Sequence, residues 1–415
     1  MKNALGPIGF APPPIDESTI EAVVRVLRSG WITSGPELAA FEQEIAAFCE
    51  VPDAVALGSW TAACELVLRW WGVGPGDEVI LPAITYAATA NIVLHCGATP
   101  VIVDIDPDCY QLTPERLRAA IGPRTKVVMP VDLAGWPVDY AGIAALLGEP
   151  AIREQFRPAN ALQAQVGRPL FLADAAHSFG ARVDGKRLGG QADVVGFSFH
   201  AVKNLTTAEG GGLCWNLPAG LDGPAFRKWI KTWSLHGATR DAHSKTLGGS
   251  WHYDIVGAGY KCNMTDIQAA MGRAQLKQYA GQLERRRALA FRYHEALMDA
   301  PWYVAPPLES EDRQSSFHLF TPRIRGFSAA QRDELIQRLQ SDGIATNVHF
   351  IPLPMLTVHR ERGLRMEDYP HAAKYFDEII SLPLHLQLTD EQVDGVAERF
   401  RFHVEALFRV SPGVA

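Results

Sequence analysis

The chain has 415 residues, of which 47% are hydrophobic and 20% are charged, a composition typical of a globular protein with one large domain or two. Its formal net charge of −7 argues against a nucleic-acid-binding surface, although a local pocket in an acidic protein can still be basic. Because no stretch approaches the roughly 18 apolar residues of a membrane helix, we expect no membrane partner.

The first part of the chain predicts an extended arm followed by two helices. Three consecutive prolines, at positions 12–14, favour the extended arm. Apolar residues at helical spacing predict a short helix that ends before Gly30. The same spacing over Leu38–Phe48 predicts a second helix with one apolar face.

The next part predicts alternating strands and helices. The buried strands are expected at Val79–Leu81, Val101–Val103, Val127–Val131, Leu170–Ala173 and Val194–Phe199. Helices are expected at Thr61–Trp71 and Pro114–Ala120. This alternation is typical of an α/β layer with a largely parallel sheet. The polar segment Leu146–Arg168 interrupts it, and we interpret this segment as an insertion of helix and loop on the rim.

The pattern changes near residue 255. We expect an N-terminal arm and large domain over residues 1–255, and a small C-terminal domain over residues 256–415. A long helix, Thr265–Arg292, is predicted to lead into the small domain. Strands are predicted there at Phe317–Ile324 and Ala345–Phe350, and helices at Ala329–Leu339 and Asp390–Phe400.

The six cysteines are scattered, without the spacing of a disulfide framework or a zinc site. The sequence does not open with the basic and apolar regions of a signal peptide. We therefore expect reduced cysteines, no metal site and a cytoplasmic location.

The segment GFSFHAVKNLTTAEGGG places one lysine, Lys203, just beyond a predicted strand. Crevices at the carboxyl ends of strands are where α/β sheets bind ligands. A desolvated lysine at such a place can form a Schiff base with an aldehyde cofactor. A lone lysine on a loop is more often simply solvated, so Lys203 alone does not decide the function.

The segment LADAAHSFG ends a predicted strand with Asp174. This carboxylate can cap the next helix, or it can face a pyridine nitrogen and keep it protonated, which makes the ring an electron sink. His177 lies three residues later and can contact the same ring, or it can be a structural histidine.

Two further segments suggest an anion site and an aromatic ring. LGSWTAA opens a predicted helix, where free N–H groups and the hydroxyls of Ser59 and Thr61 can hold an anion, although ordinary N-capping explains the same residues. Tyr86, in PAITYAATAN, can lie on a cofactor ring or belong to the core. Together the anion site, aromatic ring, acid and lysine describe a site for pyridoxal 5'-phosphate (PLP).

Seven segments carry a resemblance that runs nearly end to end. They are SGWITSGPELAAFE, GDEVILPAITYAATAN, ADAAHSFGA, FSFHAVKNLTTAEGGG, GYKCNMTDIQAAMGRAQL, NVHFIPLPML and SLPLHLQLTDEQVD. In them the chain resembles the DegT/StrS-type sugar aminotransferases, a branch of the fold-type-I PLP-dependent transferases. The resemblance implies a large domain with a mixed, mostly parallel seven-stranded sheet, a smaller α/β domain, and a homodimer with shared active sites.

The resemblance also implies roles for single residues. The cofactor-binding residues would be Trp60, Thr61, Tyr86, Asp174, His177, Ser198, Lys203 and Asn263. Lys203 would be the catalytic Schiff-base lysine, and Asp174 the acid paired with the pyridine nitrogen. Asn263 would reach the phosphate in the partner subunit.

Tyr86 would stack on the ring and His177 would contact the ring oxygen, while Ser198, Trp60 and Thr61 would bind the phosphate. Trp60 departs from the family, which usually has a small residue there. A contact through the backbone N–H alone would tolerate the change, whereas a side chain that projects into the site would put the phosphate assignment in doubt.

The implied reaction is transfer of an amino group from glutamate to a nucleotide-linked keto-sugar for amino-sugar biosynthesis, at C-4, with C-3 as an alternative because C-3-aminating members share these motifs. Lys261, His318 and His349 are candidates at the rim for the carboxylate or phosphate groups of the substrates. A lysine at position 203, where related dehydratases carry histidine, favours transamination. An aminotransferase for a cyclitol ketone and a non-catalytic regulatory homologue remain alternatives.

Overall fold

A mixed seven-stranded sheet lies at the centre of the larger part of the protein, which we describe from a computed structural model over residues 6–240 and 252–410. Its strands and the small hairpin within them are β1 (Ala54–Leu57), β2 (Glu78–Pro82), β3 (Thr99–Val103), β4 (Thr125–Val128), β5 (Leu170–Asp174), β6 (Arg182–Val183), β7 (Lys186–Arg187), β8 (Val194–Ser198) and β9 (Gly211–Trp215). The first five residues of the predicted arm lie outside the described part.

The order of strands in the large sheet is β1-β9-β8-β5-β4-β2-β3. Strand β9 runs antiparallel to both of its neighbours, and the remaining pairs are parallel. The predicted mixed, mostly parallel seven-stranded sheet is therefore confirmed. All five predicted strands lie in it, whereas β1 and β9 were not predicted. The glycines that open β9 are typical of a turn rather than of a strand.

Helices cover both faces of this sheet. They are α1 (Glu17–Ser29), α2 (Pro36–Phe48), α3 (Trp60–Trp71), α4 (Ala87–His95), α5 (Pro114–Ala120), α6 (Tyr140–Gly148), α7 (Pro150–Gln155), α8 (Ala161–Val166) and α9 (Gly223–Trp233). The two predicted N-terminal helices are confirmed. The first is capped by the Asp16 side chain and ends at Gly30, whose positive φ of 75° suits glycine.

The predicted insertion, Leu146–Arg168, contains the end of α6 together with α7 and α8. Two of its amides, Asn160 Nδ2 and Gln163 Nε2, donate hydrogen bonds to the carbonyl of Trp71 at the end of α3. The insertion therefore satisfies a backbone acceptor that the end of helix α3 leaves without a helical partner.

The C-terminal part contains α10 (Asp266–Leu276), α11 (Tyr279–Leu297), β10 (Tyr303–Val304), β11 (Arg313–Gln314), β12 (Arg323–Ile324), α12 (Ala329–Ser341), α13 (Thr357–Arg360), α14 (Pro370–Glu378) and α15 (Asp390–Val410). The predicted single helix over Thr265–Arg292 is wrong, because the chain turns at residues 277–278. Beyond the turn the buried Tyr279 donates from its hydroxyl to the carbonyl of Phe179 at 2.7 Å. This contact fixes the start of the second helix against the large sheet's core.

The two strands predicted in the C-terminal part are also largely wrong. Only Arg323 and Ile324 of the first form a strand, and the second contributes an isolated bridge at Asn347. For the first of them the physical reason lies in the backbone, since the N–H groups of Ser316 and Leu319 bond to the carbonyls of Gly135 and Ala134 rather than to a neighbouring strand. The two helices predicted there are confirmed as α12 and α15, each longer than predicted.

Candidate active site

A cavity of about 630 Å³ opens at the carboxyl ends of the central strands. Asp174 is the last residue of β5 and Ser198 is the last residue of β8. Of the residues predicted from the sequence, the cavity is lined by Trp60, Thr61, Tyr86, Asp174, His177, Ser198, Lys203, His318 and His349. The structure therefore brings together nine predicted residues that come from six separate parts of the chain.

Asp174 lies buried in the wall of this cavity. Its Oδ2 atom accepts a hydrogen bond from Thr89 Oγ1 at 2.8 Å, and its Oδ1 atom accepts one from the N–H of Ala176 at 3.2 Å. Burial raises the pKa of Asp174 to about 6, while these two bonds and nearby Lys203 act in the opposite direction. A cation placed beside this carboxylate would stabilise its charged form.

Lys203 lies in the same cavity, and its backbone N–H donates to the carbonyl of His200 at 2.9 Å. Burial lowers the pKa of the Lys203 ammonium to about 8, against the attraction of Asp174. Within the described part of the chain, no group forms a hydrogen bond with Lys203 Nζ. Its amine is thus free to react and is readily deprotonated.

The N-terminus of α3 forms another part of the wall. Ser59 caps this helix, since its Oγ atom accepts from the N–H of Ala62 at 3.1 Å. The N–H groups of Trp60 and Thr61 lie in the first turn, where a helix supplies no acceptor, and they can bind an anion together with the positive end of the helix dipole.

The Trp60 side chain points away from this anion site. It is buried, and its Nε1 atom donates to the carbonyl of Gly196 in β8 at 3.1 Å. Only the backbone of Trp60 is therefore left for an anion, and the departure from a small residue leaves the helix N-terminus usable.

Three histidines lie in the wall formed with the C-terminal part. The ring centroids of His177 and His318 are 4.5 Å apart, and those of His177 and His349 are 6.4 Å apart. Burial lowers the pKa of His177 and His318 well below the usual value, and that of His349 to about 4. Neutral rings can bind a carboxylate or phosphate only by donating a hydrogen bond, so these lowered pKa values weaken the expectation that His318 and His349 bind such groups at the rim. Their contact with substrate stays a prediction.

Tyr86 stands at the mouth of the cavity as the N-cap residue of α4. It is 64% exposed, and its ring lies 5.7 Å from that of Phe350. A side chain in this position is free to lie over a ring bound deeper in the cavity.

Asn263 and Lys261 do not line this cavity. They line a second cavity of about 410 Å³, together with Thr33 and Ser34. There Lys261 Nζ donates to Asn263 Oδ1 at 2.5 Å, and Asn263 Nδ2 donates to Ser34 Oγ at 2.7 Å. Within one chain, the structure keeps these two residues apart from Lys203.

Several residues of the site were missed at the level of sequence. Thr89 lies in PAITYAATAN, one helical turn from the aromatic that was singled out, and helical spacing alone could have brought it to attention. Asn204 directly follows the lysine and bonds with His318 at 3.0 Å. The backbone N–H of Ala134 donates to His177 Nδ1 at 3.2 Å. Because this contact uses the backbone, the residue type at position 134 gives no indication of it.

Over residues 6–240 and 252–410, no group of three or more His, Cys, Asp or Glu side chains is placed to hold a metal ion. The same residues include no helix that is long and apolar enough to cross a membrane.

The sequence model of the DegT/DnrJ/EryC1/StrS aminotransferase family matches residues 13–401. The chain belongs to this family. It is similar to the spore coat polysaccharide biosynthesis protein SpsC of Bacillus subtilis, with 36% identity over 396 residues, which cover 94% of this chain and 96% of SpsC.

Solved structures show the same relationship. The PMP form of Spr1654 from Streptococcus pneumoniae, a proposed sugar aminotransferase, is 42% identical, has a TM-score of 0.93, and is matched over 96% of this chain and all of that chain. PseC of Helicobacter pylori, an aminotransferase involved in the biosynthesis of pseudoaminic acid, is 26% identical with a TM-score of 0.83, over 96% and 100% of the two chains.

The residues in the cavity fit PLP. A buried carboxylate with a raised pKa suits a protonated ring nitrogen, an amine with a lowered pKa suits an aldehyde, and the N-terminus of α3 suits a phosphate. This family member is a PLP-dependent aminotransferase of fold type I, as the sequence predicted.

Proposed function

We propose that this enzyme transfers an amino group from glutamate to a keto-sugar carried on a nucleotide, for amino-sugar biosynthesis. The observation that carries the proposal is the similarity over nearly the whole chain to SpsC and to Spr1654, whose names refer to polysaccharide biosynthesis and to sugar amination. The neutral histidines of the cavity agree with it, because uncharged hydrogen-bonding groups suit the hydroxyls of a sugar.

For the position of amination we propose C-4. This choice rests on the segments Trp31–Thr33, Ala173–His177 and Gly259–Lys261, which resemble the C-4-aminating members of the family. The ketone would be a 4-keto-6-deoxyhexose or a related keto-hexose or keto-pentose.

When bound, PLP supplies an aldehyde that takes up an amino group and a conjugated ring that accepts the electron pair released at the substrate carbon. We propose that Lys203 Nζ binds the aldehyde in the resting enzyme. Its freed amine then removes the proton from the α-carbon of glutamate and later delivers one to the carbon that receives the amino group. Its lowered pKa suits both tasks, because the amine exchanges a proton near neutral pH.

Asp174 is proposed to hold the proton on the ring nitrogen. Thr89 and Ala176 fix both of its oxygens, so the carboxylate faces the cavity in one orientation. The phosphate is assigned to the N–H groups of Trp60 and Thr61. The phosphate is assigned to Ser198 as well, since this residue is the last one of β8, the strand beside the one that ends with Asp174.

The remaining cofactor contacts are assigned to His177, at the ring oxygen, and to Tyr86, over the ring face. We further propose a homodimer in which Asn263 completes the partner's phosphate site. Exposed apolar side chains near Asn263 support it, since Ile255 lines the same cavity and Tyr260 lines a neighbouring one with Cys262. Lys261 would then face the partner's substrate.

We also propose a cytoplasmic location and a division into an arm with a large domain over residues 1–255 and a small domain over 256–415. A separate hydrophobic core supports a small C-terminal domain, since it is built from Leu289 of α11 onward and takes up Ile8 of the arm, whereas Met264, Ala269 and Tyr279 pack in the core of the large sheet.

The test uses the purified holoenzyme. It is first charged with glutamate, and a panel of nucleotide-linked keto-sugars, 2-keto acids and cyclitol ketones is then offered. Recovery of the absorption band of the lysine-bound cofactor marks an accepted ketone, and recovery with a 4-keto-6-deoxyhexose nucleotide is expected. Recovery with only 2-keto acids or a cyclitol ketone would contradict the proposal, and failure to react with glutamate would point to a regulatory homologue.

A further inference from the structure

Two neutral imidazoles, His177 and His318, lie side by side in the wall of the active-site cavity. A neutral imidazole carries one proton on one of its two nitrogens. The nitrogen that faces the cavity is therefore either a donor or an acceptor, and the bond made by the other nitrogen decides which. In both rings the other nitrogen is Nδ1, and the protein binds it.

The backbone fixes the proton of His177. The N–H of Ala134 donates to His177 Nδ1 at 3.2 Å, so this nitrogen must carry the lone pair and Nε2 must carry the hydrogen. Ala134 and Gly135 hold positive φ angles of 60° and 99°, and the N–H of Ser316 donates to the carbonyl of Gly135 at 3.0 Å. His177 thus offers a donor to the cavity.

A side-chain amide fixes the proton of His318 in the opposite way. Asn204 Nδ2 donates to the carbonyl of Ser316 at 2.7 Å, which turns Asn204 Oδ1 toward His318 Nδ1 at 3.0 Å. Because that oxygen can only accept, His318 Nδ1 carries the hydrogen and His318 Nε2 carries the lone pair. His318 thus offers an acceptor.

Among the described residues, none bonds with the Nε2 atom of His177 or of His318, and neither atom is sealed from the cavity. Water can satisfy both atoms when no substrate is bound, and a bound substrate that displaces it must replace these hydrogen bonds. Carboxylate and phosphate oxygens are acceptors, so they suit the donor of His177 and not the lone pair of His318. A hydroxyl group is the donor that a polyhydroxylated ketone offers.

We infer that His318 Nε2 accepts a hydrogen bond from a hydroxyl group beside the ketone of the substrate, which makes His318 a specificity-determining residue for hydroxylated ketones. The inference rests on the proposed function and deepens it. In a 4-keto-6-deoxyhexose the hydroxyl beside the ketone is on C-3. A site that bonds a substrate hydroxyl discriminates strongly against the analogue that lacks it, because its own polar group is then left unpaired.

Two variants of His318 distinguish its proposed contact with the substrate hydroxyl from its structural bond to Asn204. His318→Asn keeps an amide N–H near the place of Nδ1, for the bond to Asn204, and removes Nε2. His318→Gln instead places an amide oxygen near the position of Nε2. The probes are a UDP-linked 4-keto-6-deoxyhexose and its 3-deoxy analogue, and calorimetry measures their binding to the PLP-loaded enzyme, in which the ketone has no amino group to take up.

The wild-type enzyme is expected to bind the 3-hydroxy probe about tenfold or more tightly than the 3-deoxy probe. This ratio should fall to near one in His318→Asn and recover in part in His318→Gln. In parallel, nitrogen-15 correlation spectra of histidine-labelled holoenzyme should show hydrogen on Nδ1 of His318 and on Nε2 of His177.

Equal binding of the two probes by the wild-type enzyme, an unchanged ratio in His318→Asn, or hydrogen on Nε2 of His318 would each overturn the inference and leave the proposed function standing. Binding of neither probe by the wild-type enzyme would instead reject a UDP-linked 4-keto-6-deoxyhexose as the substrate, and with it this extension.

Discussion

Gly211, the first residue of β9, lies against the start of helix α3, and Gly211→Ala tests whether that helix end holds the cofactor phosphate. A β-carbon added at Gly211 would lie 2.3 Å from the backbone nitrogen of Trp60 and 2.4 Å from the carbonyl carbon of Ser59. These are backbone atoms, so no side chain can rotate to make room. The strand cannot retreat either, because Gly211 pairs with Leu57 on one side and with Ser198 on the other.

Relief of the contact needs a movement of the helix end by about 1 Å, since carbon atoms pack at about 3.5 Å or more. Overpacking of this kind typically costs about 1–3 kcal/mol of folding free energy. A displacement of about 1 Å also moves the N–H groups of Trp60 and Thr61 away from an anion, which can cost about 100-fold in a function that depends on their placement. We therefore expect PLP to bind about 10- to 100-fold more weakly to Gly211→Ala.

The assay is titration of the apoenzyme with PLP, followed by absorbance, together with a denaturant melt of the apo form. Gly212→Ala is the matched control in the same strand. Its added β-carbon would meet the ring of Phe199 at 3.0 Å and no backbone atom closer than 3.7 Å, so a small tilt of that ring relieves it. Binding of PLP to Gly211→Ala as tightly as to the wild type, or equally weakened binding in Gly212→Ala, would show that this helix end does not hold the phosphate.

Three further predictions concern the proposed roles. Lys203→Ala should lose the absorption band of the lysine-bound cofactor and all overall turnover, and normal turnover would reject the assignment. Asp174→Asn should still bind PLP but slow both half-reactions by about 100-fold or more, because an amide cannot hold the ring proton; near wild-type rates would leave Asp174 as a structural residue. Mixed dimers of Lys203→Ala and Asn263→Ala subunits should recover part of the activity, since one of their two sites is intact, and no recovery in dimers shown to be mixed would argue against shared sites.

The sequence was a good guide where a rule of the fold determines position. Asp174 and Lys203 follow adjacent strands of the sheet, so the rule that ligands bind at the carboxyl ends of strands was enough to bring them together. The resemblance of their motifs to those of the family then predicted the chemical roles of these two residues. The anion site at α3 followed equally from local rules of helix capping.

The sequence failed where packing between distant segments decides. The direction of the Trp60 ring depends on a carbonyl in β8, 136 positions away, that accepts its N–H. His318 was expected at the rim, whereas its segment bonds to backbone groups near Gly135 and is buried there. Such contacts leave no periodic pattern in the chain, and the bonds of Ser316 and Leu319 explain why most of the strand expected over Phe317–Ile324 did not form.

A last prediction concerns how the capture of PLP by the apoenzyme depends on pH. Only the neutral amine of Lys203 can attack an aldehyde. Burial lowers the pKa of Lys203 to about 8, so the amine loses its proton at a lower pH than an exposed lysine does. At pH 7 roughly one molecule in ten then carries the reactive form, compared with about one in several thousand for an unperturbed lysine.

The charges of the groups that face Lys203 determine whether a substitution raises or lowers its pKa. His177, His318 and His349 are neutral above pH 7, because burial lowers the pKa of each, and they add no charge in this range. Asp174 attracts the ammonium and raises the pKa of Lys203. Removal of its charge in Asp174→Asn should therefore move the midpoint of capture to lower pH.

Stopped-flow absorbance after mixing apoenzyme with PLP, between pH 6 and 10, measures this midpoint. The rate should rise with pH and level off above about 8, and Lys203→Ala, as the control, should show no such phase. A midpoint near 10.5, the ordinary value for lysine, would mean that the cavity does not desolvate the amine. A shift of the Asp174→Asn midpoint to higher pH would contradict the electrostatic attraction between the carboxylate and the lysine.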